Sequence, residues 1–276
     1  MIAFRPQDGW GPAGQRAALS ITFDNFGEAA EIEMGWWGDR PVGQHKTASF
    51  VPRLIEMLGD VRATYFVEAS NAAIYPDQLR LWADAGHEIG LHAWRHEVWH
   101  RCSSDQRRSI LARSLDAMRR IGVEPIGFRP PGGITPDQAW EEFREAGMLY
   151  NSGLGETGAY IADGMVSLPF AWRGVDAYML EDLMAPVRTA SGDAEPAPGL
   201  PAWRDALVGA LDDAVAGNGH VTLIFHPEFL VDADEKFEMV GELIRGARAR
   251  DMWIAPLGDV ARFVAEECKL RVPAPV

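Results

Sequence analysis

Apolar residues along this chain fall into two patterns that alternate from one end to the other. Short unbroken apolar runs at 17–23, 63–67, 88–91, 125–128, 166–170, 221–225 and 253–254 predict buried strands. Between them, apolar residues recur at helical spacing, as in Phe50, Leu54, Ile55 and Leu58, or Ile110, Leu111, Leu115 and Met118 behind a Ser104-Asp105 cap. Further helices are predicted over 76–85, 135–146, 203–215, 234–248 and 258–267, the first with Pro76 at its start and Gly86 after its end. Strands that are continuously apolar, rather than alternating, are covered on both faces. The pattern therefore predicts an α/β fold with a mostly parallel sheet flanked by helices. No linker or repeat interrupts it, so one domain over 1–276 is expected. It would have an irregular lead-in at 1–16, an inserted loop at 27–46 and a mobile Pro/Ala/Gly/Asp-rich loop at 190–201.

Composition narrows the partners. The 276 residues are 47% hydrophobic and 24% charged, ordinary for a globular protein with a sizeable core. A formal net charge of −14 argues against nucleic acid or an anionic membrane as partner. No apolar run approaches membrane-spanning length, and the N-terminus lacks the basic start and apolar stretch of a signal peptide, so the cytoplasm is the expected location. Cys102 and Cys268 form no CxxC and read as free thiols. Oligomeric state is not legible.

The chemistry gathers at the ends of predicted strands. Asp24 and Asn25 follow the first, His92 and His96 the third, Arg129-Pro130-Pro131-Gly132-Gly133 the fourth, and His226 the strand at 221–225. Two histidines four residues apart share a face in a helix or a tight turn, which makes them a candidate ligand pair for a metal ion. In an α/β fold, loops at strand C-termini converge, so these groups are expected at one rim. Each alone has a packing explanation: a turn cap for Asp24, a surface ion pair for Arg129, a satisfied core histidine for His226. Their shared position favours a site.

Thr22-Phe23-Asp24-Asn25, His92-x-x-x-His96, Arg129-Pro130-Pro131-Gly132 and Leu223-Ile224-Phe225-His226 resemble, in order and spacing, the successive motifs of the polysaccharide deacetylase family. This is the NodB-homology group, carbohydrate esterase family 4, and the resemblance runs from about residue 17 to 265. The insertion from Gly27 to His45 and the wording around His92 look closer to intracellular branches, such as aminosugar deformylases and allantoinase-like amidohydrolases. The resemblance implies a distorted (β/α) barrel of about seven parallel strands with a divalent metal ion, commonly zinc. His92 and His96 match the family's histidine ligands, Asp24 its catalytic base, Arg129 the arginine that orients the base, and His226 the proposed general acid. The family's usual second aspartate, a metal ligand, is here Asn25, so either the Asn25 amide or Asp24 is expected to complete the ligand set. Trp172 and Asp176 are the candidates for the family's last motif, which tunes the acid.

The same residues support the chemistry directly. Amide hydrolysis needs an activated water, a base, oxyanion stabilisation and an acid for the leaving nitrogen, and a metal on neutral histidines leaves positions open for it. The Pro130, Pro131 and Gly132 loop, stiff and then permissive, together with Trp94, is expected to contact substrate. Trp36, Trp37 and Trp99 are open to either stacking or packing. Glu28 and His45 read as solvated loop residues rather than a lid, and His87 and His220 as surface or capping groups. The leading expectation is a metal-dependent hydrolase removing an acetyl or formyl group from an N-acylated sugar-type substrate. The alternatives are an allantoinase-like hydrolase of a small amide and a non-catalytic carbohydrate-binding relative.

Overall fold

The computed structural model describes residues 1–270 and makes the first long apolar run an interior strand, paired on both edges. The strands are β1 (Ile2–Phe4), β2 (Ala17–Asp24), β3 (Thr64–Val67), β4 (Glu88–Leu91), β5 (Gly127–Phe128), β6 (Tyr150–Asn151), β7 (Ala159–Ala162), β8 (Met165–Ser167), β9 (His220–Phe225) and β10 (Met252–Ile254). The helices are α1 (Ala29–Glu33), α2 (Lys46–Leu58), α3 (Pro76–Asp84), α4 (Ser104–Arg120), α5 (Ala139–Glu145), α6 (Asp176–Leu180), α7 (Ala185–Ala190), α8 (Leu200–Ala216), α9 (Pro227–Leu230), α10 (Asp234–Ala249) and α11 (Leu257–Glu267).

Every residue of β2 is buried. Its partners explain why. β9 pairs along Ala18–Phe23, β10 along Ala17–Leu19 and β3 along Thr22–Asp24, all parallel. Since β9 overlaps both others, β10 and β3 must share the opposite edge of β2, one after the other. From β3 the sheet continues in parallel through β4, β5, β6 and β8, then turns antiparallel through β7 to β1. The ladder stops short of a closed ring among the described residues. A single parallel bridge between Val175 and Ile224 ties the chain beyond β8 to β9.

Three features depart from the hydropathy reading. The lead-in is not wholly irregular: β1 pairs with β7, and Trp10 is fully buried with its indole N–H donating to the Asn218 carbonyl. A three-residue strand and a lone tryptophan are too short to show a period, so the pattern could not reveal them. The loop at 190–201 is also tied down, because Asp193 accepts from Tyr178 Oη at 2.6 Å and the Glu195 carbonyl accepts from Arg188 Nε at 2.8 Å. The cap of α4 is Ser103, one residue ahead of the expected Ser104, in a capping box with Gln106.

Parallel pairing is what positions the site. The strands from β2 to β6 and β9 end at the same rim, so whatever follows each of them faces a common cleft. No helix among the described residues is long and apolar enough to cross a membrane.

Candidate functional site

The rim of β2, β3, β4, β5 and β9 opens into a cleft of about 260 Å³. Asp24, Asn25, His92, His96, Arg129 and His226 all line it. The strand-end residues singled out in the sequence therefore meet in space.

At the floor, Arg129 is 1% exposed. Its Nη1 donates to Asp24 Oδ1 at 2.5 Å and to Thr22 Oγ1 at 2.8 Å, and its Nη2 donates to Ser152 Oγ at 2.9 Å. The guanidinium also lies 4.1 Å from the ring centre of Phe66. Burial lowers its pKa, but the neighbouring Asp24 charge opposes that, and the pair holds Asp24 in one orientation. The carbonyl of Arg129 has a second task. It accepts from His92 Nδ1 at 2.8 Å. A carbonyl can only accept, so Nδ1 carries the proton and Nε2 keeps its lone pair.

His92 and His96 do not lie on a helix. They flank a turn in which Ala93 and His96 adopt left-handed φ values of 64° and 77°, and this brings their ring centres to 4.8 Å. Glu97 organises the turn: its carboxylate accepts from the N–H groups of Trp94 and Arg95 at 3.0 and 2.9 Å. Burial is the main reason both histidines are depressed to about 3, so both rings are neutral in ordinary buffers.

A carboxylate that the sequence did not single out also lies beside this pair. Glu68, the residue after β3, offers an oxygen that lies with nitrogens of His92 and His96 inside a 4.8 Å cluster. Its Oε2 accepts from Phe26 N at 3.1 Å, while Oε1 is buried with no partner. Asp24 is engaged by Arg129 instead. Asn25, held at φ 59°, hydrogen-bonds through its side chain to Glu228, and its Oδ1 is buried and unpaired. Nothing local marks Glu68 as special, since Val67-Glu68-Ala69 reads as an ordinary strand end. A signal existed only in its position on the same rim.

On the opposite side, His226 Nδ1 donates to Asp176 Oδ1 at 2.6 Å, and its backbone N–H donates to Asp176 Oδ2 at 2.6 Å. Asp176 opens α6 and is fully buried. Burial by itself would lower His226, but the Asp176 charge and hydrogen bond, with Glu228 and Asp24 beyond, raise it to about 9. Glu228, also on the cleft, is pushed up to about 7 by burial. The sequence did not single it out.

The remaining predicted contacts divide. Pro130, Gly132 and Gly133 line the cleft, and both glycines take left-handed φ values of 75° and 79°. Pro131 is buried outside the lining, and Trp94 turns away to pack under the Arg113 guanidinium at 4.7 Å. Trp36 lines the cleft, whereas Trp37 is buried and Trp99 packs between Phe128 and Phe143 in the core. Glu28 and His45 are buried, not solvated. Glu28 accepts from Gly43 N and Tyr75 Oη, and His45 caps α2, so both pin the insertion in place. His87 stacks on Trp82 at 4.1 Å and His220 bonds Ser20 at 3.0 Å, so neither is a surface group.

Comparison with known proteins bears on this geometry. The family model of the polysaccharide deacetylases matches residues 14–150. A solved Mycobacterium smegmatis structure assigned to the polysaccharide deacetylases is 26% identical over 99% of this chain and 98% of that one, with a TM-score of 0.75. A solved allantoinase shares the fold, with a TM-score of 0.72 at 19% identity over 95% of this chain and 94% of that one. Chitin deacetylase from Colletotrichum lindemuthianum is 36% identical over 91 residues, 30% of this chain and 37% of that protein. Matches to the curated relatives span between 20% and 37% of those proteins' length. The matched residues 14–150 carry Asp24, His92, His96 and Arg129 on one parallel rim, and the chain belongs to the polysaccharide deacetylase family.

Proposed function

We propose that this protein is a metal-dependent hydrolase of carbon–nitrogen bonds that removes the acyl group from an N-acylated substrate. The observation that carries the reading is the pairing of two opposite histidine environments across one cleft. Neutral His92 and His96 sit beside Glu68, and a protonated His226 sits against Asp176. The names of the relatives, chitin and peptidoglycan deacetylases, support an N-acetyl amide as the bond type.

The residues fit a divalent cation. An orphaned, buried carboxylate oxygen beside two imidazoles, one with its free nitrogen fixed by a carbonyl behind it, is a donor set that a zinc-like ion satisfies. Glu68, His92 and His96 would hold it. When bound, such an ion polarises an acyl carbonyl and makes a nearby water more acidic.

The chain supplies the rest. Asp24, held by Arg129 through Oδ1, takes a proton from the attacking water. The water oxygen bonds to the acyl carbon and the carbon–nitrogen bond breaks. His226, protonated below about pH 9, gives its Nε2 proton to the departing nitrogen, so the products are a carboxylic acid and an amine. Return of the proton from Asp24 to His226 through solvent resets both groups. Asp176 keeps the His226 ring oriented and charged until that transfer. The test is hydrolysis of N-acetyl and N-formyl substrates by protein supplied with zinc. Uptake of metal without turnover on any amide would favour a non-catalytic binding protein.

A further inference from the structure

The chemistry occupies only the floor and one corner of the cleft. The walls are of another kind. Met34 and Trp36 reach over it from the insertion that Glu28 and His45 pin down. Phe170, Trp172 and Leu183 face it from the segment after β8, and Phe229 closes the side beyond His226. The buried Arg188 fixes that segment by donating to the carbonyls of Tyr178 and Glu181 at 2.7 and 3.0 Å. At the rim, Trp36 is 58% exposed and Leu183 is 51% exposed, large apolar side chains left facing water.

A sugar polymer is bound by hydroxyl-matching groups, commonly carboxylates, amides and hydroxyl side chains set along an open groove. No lysine, serine, threonine, glutamine or tyrosine lines this cleft, and its one arginine is already committed to Asp24. Apart from the catalytic floor and the His92–His96–Glu68 group, its unpartnered acceptors lie in one corner. Asn25 Oδ1 and Glu228 Oε2 are buried and lack partners, and the two side chains bond each other. Acceptors without donors call for an N–H from the ligand. A volume of about 260 Å³ is near the lower end of small-molecule sites.

Resting on the hydrolase reading above, we infer that the substrate is a small N-acyl amine with an apolar body rather than an N-acetylated sugar polymer. The apolar body packs between Trp36 and Phe170, Trp172 and Leu183. The N–H of the scissile amide faces the Asn25–Glu228 corner, and its carbonyl faces the floor. The insertion at 27–46 and the segment at 168–190 together turn a groove into a cup.

The test compares two probes with alkylamine leaving groups, N-acetylbenzylamine and tetra-N-acetylchitotetraose, on the zinc-supplied protein. Binding is followed by calorimetry and hydrolysis by amine release. N-acetylbenzylamine is expected to show a Kd and KM at least about tenfold lower than the tetrasaccharide. Trp36→Ala, at an exposed position that should not disturb folding, is expected to raise its KM about tenfold with kcat within about twofold. Leu183→Asp should act in the same direction. Tighter binding of the tetrasaccharide, or a KM indifferent to Trp36→Ala, overturns the inference and leaves the hydrolase reading standing. Binding of N-acetylbenzylamine without turnover of either probe does the reverse. Binding of neither probe overturns the inference.

Discussion

His92 and His226 are buried in the same cleft, yet their environments drive them in opposite directions, one to about 3 and the other to about 9. Burial acts on both alike, so it cannot explain the difference. The group behind Nδ1 does. His92 donates to a neutral carbonyl, which fixes the tautomer and raises the ring too little to offset burial, while His226 donates to the buried carboxylate of Asp176, whose charge and hydrogen bond favour the imidazolium. Under the proposed hydrolase reading, the two sides of the cleft divide into a donor set for a cation and a proton source. A site with both rings neutral could bind a metal but would lack the acid, and one with both charged would repel the metal.

Removing the metal-side donors is the hardest test of that division. His92→Ala should reduce zinc from about one equivalent to almost none by elemental analysis, and activity should follow. Glu68→Gln is next. As a donor rather than a supporting group, its loss should cost more than the roughly 10–100-fold in affinity typical of outer partners, read by competition with a zinc-sensitive dye. If Asn25→Ala weakened binding more than Glu68→Gln, the carboxylate assignment would have to move. On the acid side, His226→Ala should retain metal but lose about 10²–10⁴ in kcat.

Asp176→Asn is a subtler change that addresses the comparison itself. His226 stands above its ordinary 6.5, so it can donate up to about pH 9, and the pair with Asp176 stabilises the fold fully below about pH 6.5 and loses that contribution as pH rises through about 9. With the carboxylate gone, burial remains and lowers the ring. The alkaline limb of kcat against pH should then fall by two units or more from about 9, and the mutant should lose stability at pH 6 relative to wild type by thermal melting. A limb that stays in place would mean another group supplies the proton. The smallest effect is expected at Trp94→Phe, because that ring packs under Arg113 rather than into the cleft. Its kinetic constants should stay within about twofold of wild type.

Much of this protein was legible in one dimension. The unbroken apolar runs at β2, β3, β4 and β9 could only be satisfied between covering layers, which leads to a parallel sheet. A parallel sheet puts strand ends at one rim, so Asp24, His92, Arg129 and His226 could be grouped before any coordinate was known. What was not legible depends on contacts between segments distant in sequence. Glu68 looks like any strand-end glutamate until β3 is set between β2 and β4, when its carboxylate meets His92 and His96. Asp176 was a candidate partner of the acid from the resemblance, but its contact with His226 across 50 residues is made only by the fold, and Glu28 is buried only because Tyr75 and Gly43 close on it. Trp94, adjacent to His92 in the chain, faces elsewhere because the turn at Ala93 and Glu97 rotates it away.

The sequence by itself determined the sheet, the rim and the types of residue brought to it, because hydrophobic period and strand direction are local properties with one global solution. Tertiary structure alone decided which carboxylate faces which histidine and whether the walls are polar or greasy. Those outcomes depend on side-chain direction and on burial between segments, and neither is written in the spacing of residues along the chain.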